Sequence, residues 1–329
     1  MIANKNEVIS WTMLFIYLLS CKGDLIMEKP VIDKQSVSEI LRSSAILLIR
    51  LDDVALSPWV GETNGDLLIR DVTMTVIIEE ILKGKVQQKV GESFELKVQQ
   101  RGTGGFRVMD YYGLWSHSPL SAGVRFVAFC TDSSEDARIL LSTDANCEQL
   151  MEPKIALADT KSALELENQN PSSADLIARA QTLSRQRGGI FARYVWAKIK
   201  PEAMNSLDIF EKVVKIIEDP ETTELARESY LTSIEDALGI TDPPLKQWEF
   251  RFIRSMFNLL TLSEAKPLHT NIEEVYLPNI LGLDEDVLRY SANEIFKDRV
   301  DERMSILSSL KYRRKSEFTP RLIQWLEAK

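Results

Sequence analysis

The character of the sequence changes at Glu152 and Pro153, and this change constrains the fold more than any other feature. Residues 45–129 carry short β-rich runs separated by glycines, whereas the residues after 153 carry helix formers with apolar positions at helical spacing. A run of strands followed by a run of helices is typical of the α+β class. We therefore predict a β-barrel-like domain at residues 37–150, linking helices at 151–190 and a helical repeat-like domain at 191–329.

The first half is predicted to form a small antiparallel barrel or sandwich. Residues 45–51 and 72–82 are rich in β-branched and other apolar residues, which favour strands. Residues 93–98 alternate apolar and polar side chains, as does a strand with one buried face. Another strand is predicted at residues 124–129, directly after Gly123. Short strands at near-regular spacing are typical of barrels and sandwiches.

These strands also carry a resemblance to a known group. A long strand ends in Glu80-Ile81-Leu82-Lys83-Gly84, and glycine-led strands follow at residues 91–98 and 122–129. This order resembles the small OB-type barrels of the netrin-like and tissue-inhibitor-of-metalloproteinase group, over roughly residues 40–148. The resemblance implies an OB-like fold, and a generic β-sandwich is the alternative. In that family, inhibition needs a free N-terminal cysteine clamped by disulfides. The chain lacks that disulfide set, so we do not carry the activity over.

The second half repeats one layout. Residues 207–220 and 275–284 each form an apolar run that ends at an acidic turn, and a second helical run follows at 223–231 and 285–296. This layout resembles HEAT or armadillo-type repeats, in which helix pairs stack because no pair can bury its apolar face alone. The resemblance covers about residues 190–329 and implies an extended binding surface. An irregular helical domain is the alternative.

The N-terminal segment bears on where the protein resides. An apolar run at residues 8–19 is of the length expected for a signal peptide and is too short to span a membrane. It ends in Leu18-Leu19-Ser20-Cys21, which resembles the lipobox of bacterial lipoproteins. The resemblance implies a signal segment at 1–21, a lipid on Cys21 and a tether at 22–36. An ordinary signal, an uncleaved anchor, a buried helix and a start at Met27, which would make the protein cytoplasmic, are the alternatives.

The chain has three cysteines, an odd number that calls for an explanation in a secreted protein. If Cys21 carries lipid, then Cys130 and Cys147 remain as a pair at the ends of two predicted strands. An oxidising compartment would allow them to form a disulfide. Two buried free thiols are the alternative reading.

Few residues offer chemistry. The two histidines, His117 and His269, exclude a histidine-rich metal site, and no cofactor-binding motif occurs, so we predict neither a metal nor a cofactor. His117 lies near Tyr111, Tyr112 and Trp115, and aromatic and polar groups of this kind are typical of binding loops. The net charge of −9 disfavours binding to nucleic acid, because phosphates must be neutralised by lysines and arginines.

Together these observations predict a lipid-anchored protein on the periplasmic face of a bacterial envelope membrane. It would act as a non-catalytic protein-binding or scaffold component whose partners are other proteins. Two alternatives stay open: an envelope enzyme of unrecognised type centred near His117, and a cytoplasmic adaptor translated from Met27.

Overall fold

A computed structural model describes residues 38–61, 67–103, 108–112, 114–115, 121–130, 147–151, 153–238, 247–283, 288–312 and 318–328. The chain divides into two units, Met1–Asp33 and Lys34–Lys329, and all described residues belong to the second. A strand-rich first half is followed by a helical second half. The predicted α+β class is therefore confirmed.

The sheet consists, within the described ranges, of eight strands in a mainly antiparallel arrangement. They are β1 (Ala45–Leu56), β2 (Val60–Gly61), β3 (Leu67–Lys83), β4 (Ser93–Thr103), β5 (Val108–Tyr112), β6 (Leu114–Trp115), β7 (Arg125–Cys130) and β8 (Cys147–Met151). Their order is β5-β4-β3-β1-β7-β8-β6, and β2 pairs with β3. The pair formed by β6 and β8 is parallel.

The order of the strands shows that the sheet bends round toward itself. Strands β5 and β6 stand at opposite ends of the order, yet Tyr112 and Leu114 are separated by a single residue. Because consecutive Cα atoms are about 3.8 Å apart, these two residues lie within about 7.6 Å of each other. The pairing of β1 with β3 has three irregularities in register, and bulges of this kind bend and twist strands.

The two faces of the sheet belong to different hydrophobic clusters. Ile46, Leu48, Val127 and Phe129 share one cluster with the helices. The other cluster comes from the opposite face of β1, β3, β4 and β7, and consists of Ala45, Leu47, Ile49, Leu51, Val72, Met74, Val76, Ile78, Phe94, Leu96, Phe126, Ala128 and Cys130. The near-continuous apolar sequence at the start of β1 follows from this burial on both faces.

The helices bear the following names and bounds. They are α1 (Glu39–Arg42), α2 (Pro153–Gln169), α3 (Ser173–Leu183), α4 (Gly189–Ala203), α5 (Leu207–Glu218), α6 (Glu224–Leu238), α7 (Gln247–Leu259), α8 (His269–Asn271), α9 (Leu277–Leu281), α10 (Ala292–Ile295), α11 (Val300–Tyr312) and α12 (Thr319–Glu327). A 3₁₀ helix, Ser263–Leu268, precedes α8, and a π-helical turn, Ile272–Tyr276, connects α8 to α9.

Alternate helices pack against each other. Helix α4 contacts α2 and α6, while α5 contacts α3 and α7. The even-numbered helices α2, α4 and α6 thus form one layer and the odd-numbered helices α3, α5 and α7 form another. Helices α1 and α2 contact α4, and α2 also contacts β7, so the first layer is the one that meets the sheet.

Polar groups define where these helices begin. The Ser172 and Ser206 hydroxyls accept hydrogen bonds from the backbone N–H groups of Asp175 and Ile209, at the starts of α3 and α5. Helix α4 is capped from another helix, because the buried Asp159 carboxylate of α2 accepts from the backbone N–H of Gly188 (2.8 Å) and of Phe191 (3.2 Å). Burial raises the pKa of Asp159, and these two hydrogen bonds oppose the rise.

Candidate functional site

The residues that the sequence analysis selected fall in three places. Cys21, with the whole lipobox-like segment and Met27, lies outside the described residues, and so does His117. Tyr111 and Tyr112 lie in β5, where their backbone pairs with Gln100 and Gln99 of β4. Trp115 lies in β6 and pairs with Met151. The backbone of these three aromatic residues is therefore in strands, and their role in binding stays a prediction.

The predicted cysteine pair lies on neighbouring strands. Cys130 is buried at the end of β7 and is disulfide-bonded. Across the β7–β8 pair, the Cα partner of Cys130 is Cys147. This register places the two backbones side by side, as a disulfide requires.

An ion pair connects α1, which directly precedes β1, to α4. The Arg193 guanidinium of α4 donates to both carboxylate oxygens of Glu39 in α1, at 2.7 and 3.1 Å. The third bond of Arg193 is to the Ser229 hydroxyl of α6, at 3.1 Å. A Cβ at Gly189 would lie 2.3 Å from that hydroxyl, so glycine at the start of α4 allows Ser229 to approach. Since the side chains of Arg193 and Glu39 are only 12% and 8% exposed, this bidentate pair is a structural contact.

A second polar cluster lies at the same junction. Glu167 of α2 accepts from the Tyr194 hydroxyl (2.9 Å) and from the Lys198 ammonium group (3.0 Å) of α4. Lys83, at the end of β3, donates to the backbone carbonyl of Ile40 at 2.6 Å. Desolvation lowers the pKa of Lys83, and desolvation together with Glu167 raises the pKa of Tyr194. Partial burial disfavours the charge of Glu167, but Lys198 and Tyr194 outweigh it and lower its pKa.

An open depression of about 410 Å³ lies between α3 and α5. All of its lining residues are polar or charged, and they come from the C-terminal ends of α3 and α5: Gln181, Arg185, Lys215, Glu218 and Asp219. We call this depression and the residues that extend it across α7 the charged surface.

Arg185 connects the two sides of the depression. Its guanidinium donates to Asp219 at 2.9 Å and lies 2.5 Å from a carboxylate oxygen of Glu221. Partial burial opposes the ionisation of Asp219, but the backbone N–H of Glu221 and the Arg185 guanidinium outweigh it and lower the pKa of Asp219. Lys215 is exposed at the rim of the same depression.

A buried arginine supports this surface from beneath. Arg227 of α6 is 1% exposed and donates to the backbone carbonyls of Ile217 (2.9 Å), Asp219 (2.8 Å) and Glu264 (3.4 Å). The first two carbonyls are at the C-terminal end of α5, where a cation is favoured by the helix dipole. Arg227 therefore fixes the end of α5, from which Glu218 and Asp219 enter the depression.

The charged surface continues onto α7. Arg251 donates to Glu211 at 2.9 Å and to both carboxylate oxygens of Glu218 at 2.9 and 3.0 Å. Asn258, further along α7, donates to Glu218 (3.3 Å) and to Glu302 of α11 (3.2 Å). Burial disfavours the charge of Arg251, but Glu218 and Glu211 outweigh it and raise its pKa. Helices α3, α5, α7 and α11 thus share one continuous set of polar contacts.

The charged surface was not predicted from the sequence. The acidic turn at Asp219 was recognised, but Arg185 and Arg251 have no local pattern that separates them from other surface arginines. Their partners lie 33 to 40 positions away in the chain. The stacking of α3, α5 and α7 brings them together, and only the spacing of the predicted helix pairs could have suggested it.

The arrangement of the site is one of paired charges, in which Arg185 is 48% exposed and Arg251 is only 12% exposed. Within the described ranges, no three His, Cys, Asp or Glu side chains come together in a group that could hold a metal ion. None of the helices in that part of the chain is long and apolar enough to span a membrane. No family model, no curated protein and no solved structure matches the chain.

Proposed function

We propose that the protein is a non-catalytic protein-binding or scaffold component, held by a lipid on Cys21 at the periplasmic face of a bacterial envelope membrane. Its partners are other proteins and the membrane, and it uses neither nucleic acid nor a cofactor. The observation that carries the binding role is the charged surface. Sites for small molecules are mostly enclosed and apolar, whereas this depression is open and lined by polar and charged side chains, which suits the side chains of a polypeptide partner.

We also propose that the helical half is a HEAT-like stack and that the sheet is an OB-like barrel. The contacts of α4 with α2 and α6, and of α5 with α3 and α7, support the first proposal, because each helix in such a stack packs on the second one along the chain. The proximity of β5 and β6, at opposite ends of the strand order, supports the second, because a barrel brings its two ends together.

The binding role is tested by reversing one exposed charge. We expect proteins captured from solubilised membranes by the unmodified chain to be lost with Lys215→Glu, since Lys215 is exposed at the rim of the depression. Lys266→Glu is the matched control, because Lys266 is exposed on the 3₁₀ helix outside the depression. If Lys215→Glu captures the same proteins as the unmodified chain, the charged surface is not the binding site.

The anchor is tested by intact-mass measurement of the mature protein. We expect a chain that begins at Cys21 and carries the added mass of a diacylglycerol and an acyl group. Cys21→Ser is expected to abolish this mass and to release the protein from membranes. An unmodified chain that begins at Met1 or Met27 would overturn the lipid anchor while leaving the charged surface to be tested separately.

A further inference from the structure

Within the described residues, the far half of β1 (residues 52–56) has a pairing partner on one side only. Strand β7 pairs with β1 from Ala45 to Arg50, and the last contacts on that side are two hydrogen bonds at Leu51: its N–H donates to the Val124 carbonyl, and its carbonyl accepts from the Gly123 N–H. Strand β3 continues to pair with β1 as far as Leu56. Among the described residues, nothing pairs with residues 52–56 on the side away from β3.

The direction of the free hydrogen-bonding groups follows from the pairing. The backbone N–H of Ser57 donates a hydrogen bond to the carbonyl of Asp71 in β3 and therefore points toward β3. Because successive residues of a strand point their N–H groups in opposite directions, the N–H groups of Leu56 and Val54 point away from β3. These two residues therefore present their backbone donors and acceptors along the edge.

The edge is exposed to solvent. Leu56, Trp59 and Val60 are 51%, 37% and 67% exposed. Proteins normally cover or charge a long edge, because it can pair with another strand. Here the apolar side chains remain exposed, and the Arg70 guanidinium lies over the Trp59 ring, 4.4 Å from its centre.

The two faces beside this edge differ in chemistry. Val54 and Leu56 are the Cα partners of Met74 and Val72, which belong to the buried cluster of the sheet, so they lie on its apolar face. Asp53 lies on the other face with its partner Thr75. Asp53 and Asp71 are exposed on this polar face, while Glu95 and Lys97 of β4, the Cα partners of Thr75 and Thr73, lie farther from the edge. A strand added to this edge would therefore meet apolar side chains on one face and acidic side chains on the other.

We propose that this edge binds an extended segment of a partner protein by strand addition, and that the segment alternates apolar with basic residues. The main-chain groups of Val54 and Leu56 would supply the hydrogen bonds, and the two faces would select the side chains. A second copy of the chain would bring together two chains of net charge −9, whereas a basic segment complements Asp53 and Asp71. The edge is separate from the charged surface of the helices, and its test does not depend on that surface.

The probe is a synthetic eight-residue peptide of alternating valine and lysine, applied to the full chain. We expect it to bind with a Kd of about 10–100 μM and to slow amide exchange at Val54 and Leu56 by about tenfold or more. Leu56→Pro removes one edge donor at a position where proline is tolerated, and it should raise the Kd about tenfold. Asp53→Lys should raise it severalfold, while the matched control Asp301→Lys, on α11, and Lys215→Glu should leave it unchanged.

The same experiment contains the results that would overturn the proposal. These are the absence of binding up to about 1 mM peptide, binding that leaves exchange at Val54 and Leu56 unchanged, and equal affinity for a peptide whose alternate backbone nitrogens are methylated. Circular dichroism of Leu56→Pro must match the unmodified chain for its Kd to count. A dimer in sedimentation that Leu56→Pro dissociates would assign the edge to a second copy and would also overturn the proposal.

Discussion

The two halves of β1 belong to one strand but have opposite surroundings. In residues 45–51 every side chain except Arg50 is buried, and the backbone pairs with β3 on one side and β7 on the other. In residues 52–56 no side chain is buried, and the described pairing is with β3 alone. The near half is held between the helices and the second hydrophobic cluster, whereas in the far half only Val54, which is partly buried, packs against that cluster.

The neighbours of a strand therefore determine its burial. The near half supplies Ile46 and Leu48 to the cluster shared with the helices and Leu47, Ile49 and Leu51 to the cluster on the opposite face. The far half begins where β7 no longer pairs, and two aspartates stand at that point. We infer that the near half serves stability and that the far half is available for binding.

The largest effect is expected at the ion pair between Arg193 of α4 and Glu39 of α1, the helix directly before the near half of β1. Arg193→Met leaves the Glu39 carboxylate buried without its partner, and we expect a loss of about 3–5 kcal/mol in the free energy of unfolding. Urea denaturation measures this loss in the free energy of unfolding. Arg185→Met is the matched control, because Arg185 lies on the exposed charged surface and its loss should cost less than about 1 kcal/mol. Equal losses in the two variants would contradict the structural role of the Arg193 contact.

The second effect compares the two halves of β1 directly. Ile49→Ala empties a site that is 0% exposed, and we expect a loss of about 2–5 kcal/mol. Leu56→Ala changes a side chain that is half exposed and should cost about 0.5–1 kcal/mol. Thermal or urea unfolding of both variants gives the comparison. A cost at Leu56 as large as that at Ile49 would show that the far half is as well packed as the near half.

A smaller effect is expected at the turn after β3. Gly84 and Gly91 both have positive φ angles, +81° and +90°, but only at Gly84 would a Cβ collide with the backbone, 2.0 Å from the carbonyl oxygen of Ser44. In both variants alanine must adopt an unfavourable positive φ angle. Gly84→Ala must in addition displace Ser44, the residue before β1. We expect Gly84→Ala to cost about 1–3 kcal/mol more than Gly91→Ala in urea unfolding. A similar cost in both would argue against close packing at the start of β1.

Much of the fold could be predicted because it is encoded locally. The apolar run at 45–51, the alternation at 93–98 and the helical spacing after residue 153 each mark an element that the structure contains. The far half of β1 was missed, because Asp52 and Asp53 interrupt the apolar run that defined the predicted strand. Its length depends on pairing with β3, which local sequence does not encode.

The candidate site was harder to predict than the fold, for a physical reason. The partners Arg193 and Glu39 are 154 positions apart, and Arg185 and Asp219 are 34 apart. Each pair depends on how helices pack, and a surface arginine looks the same in sequence whether or not it has a partner. The predicted aromatic residues Tyr111, Tyr112 and Trp115 did carry a local signal, and their function remains a prediction.

The most direct test of the account is amide hydrogen exchange of the full chain without any partner. The Leu51 N–H is bonded to the Val124 carbonyl, whereas the N–H groups of Val54 and Leu56 point away from β3 along the open edge. We predict strong protection at Leu51 and exchange at Val54 and Leu56 that is faster by about two orders of magnitude or more. Protection at Val54 and Leu56 equal to that at Leu51 would contradict the account, because it would mean that the far half of β1 is already covered.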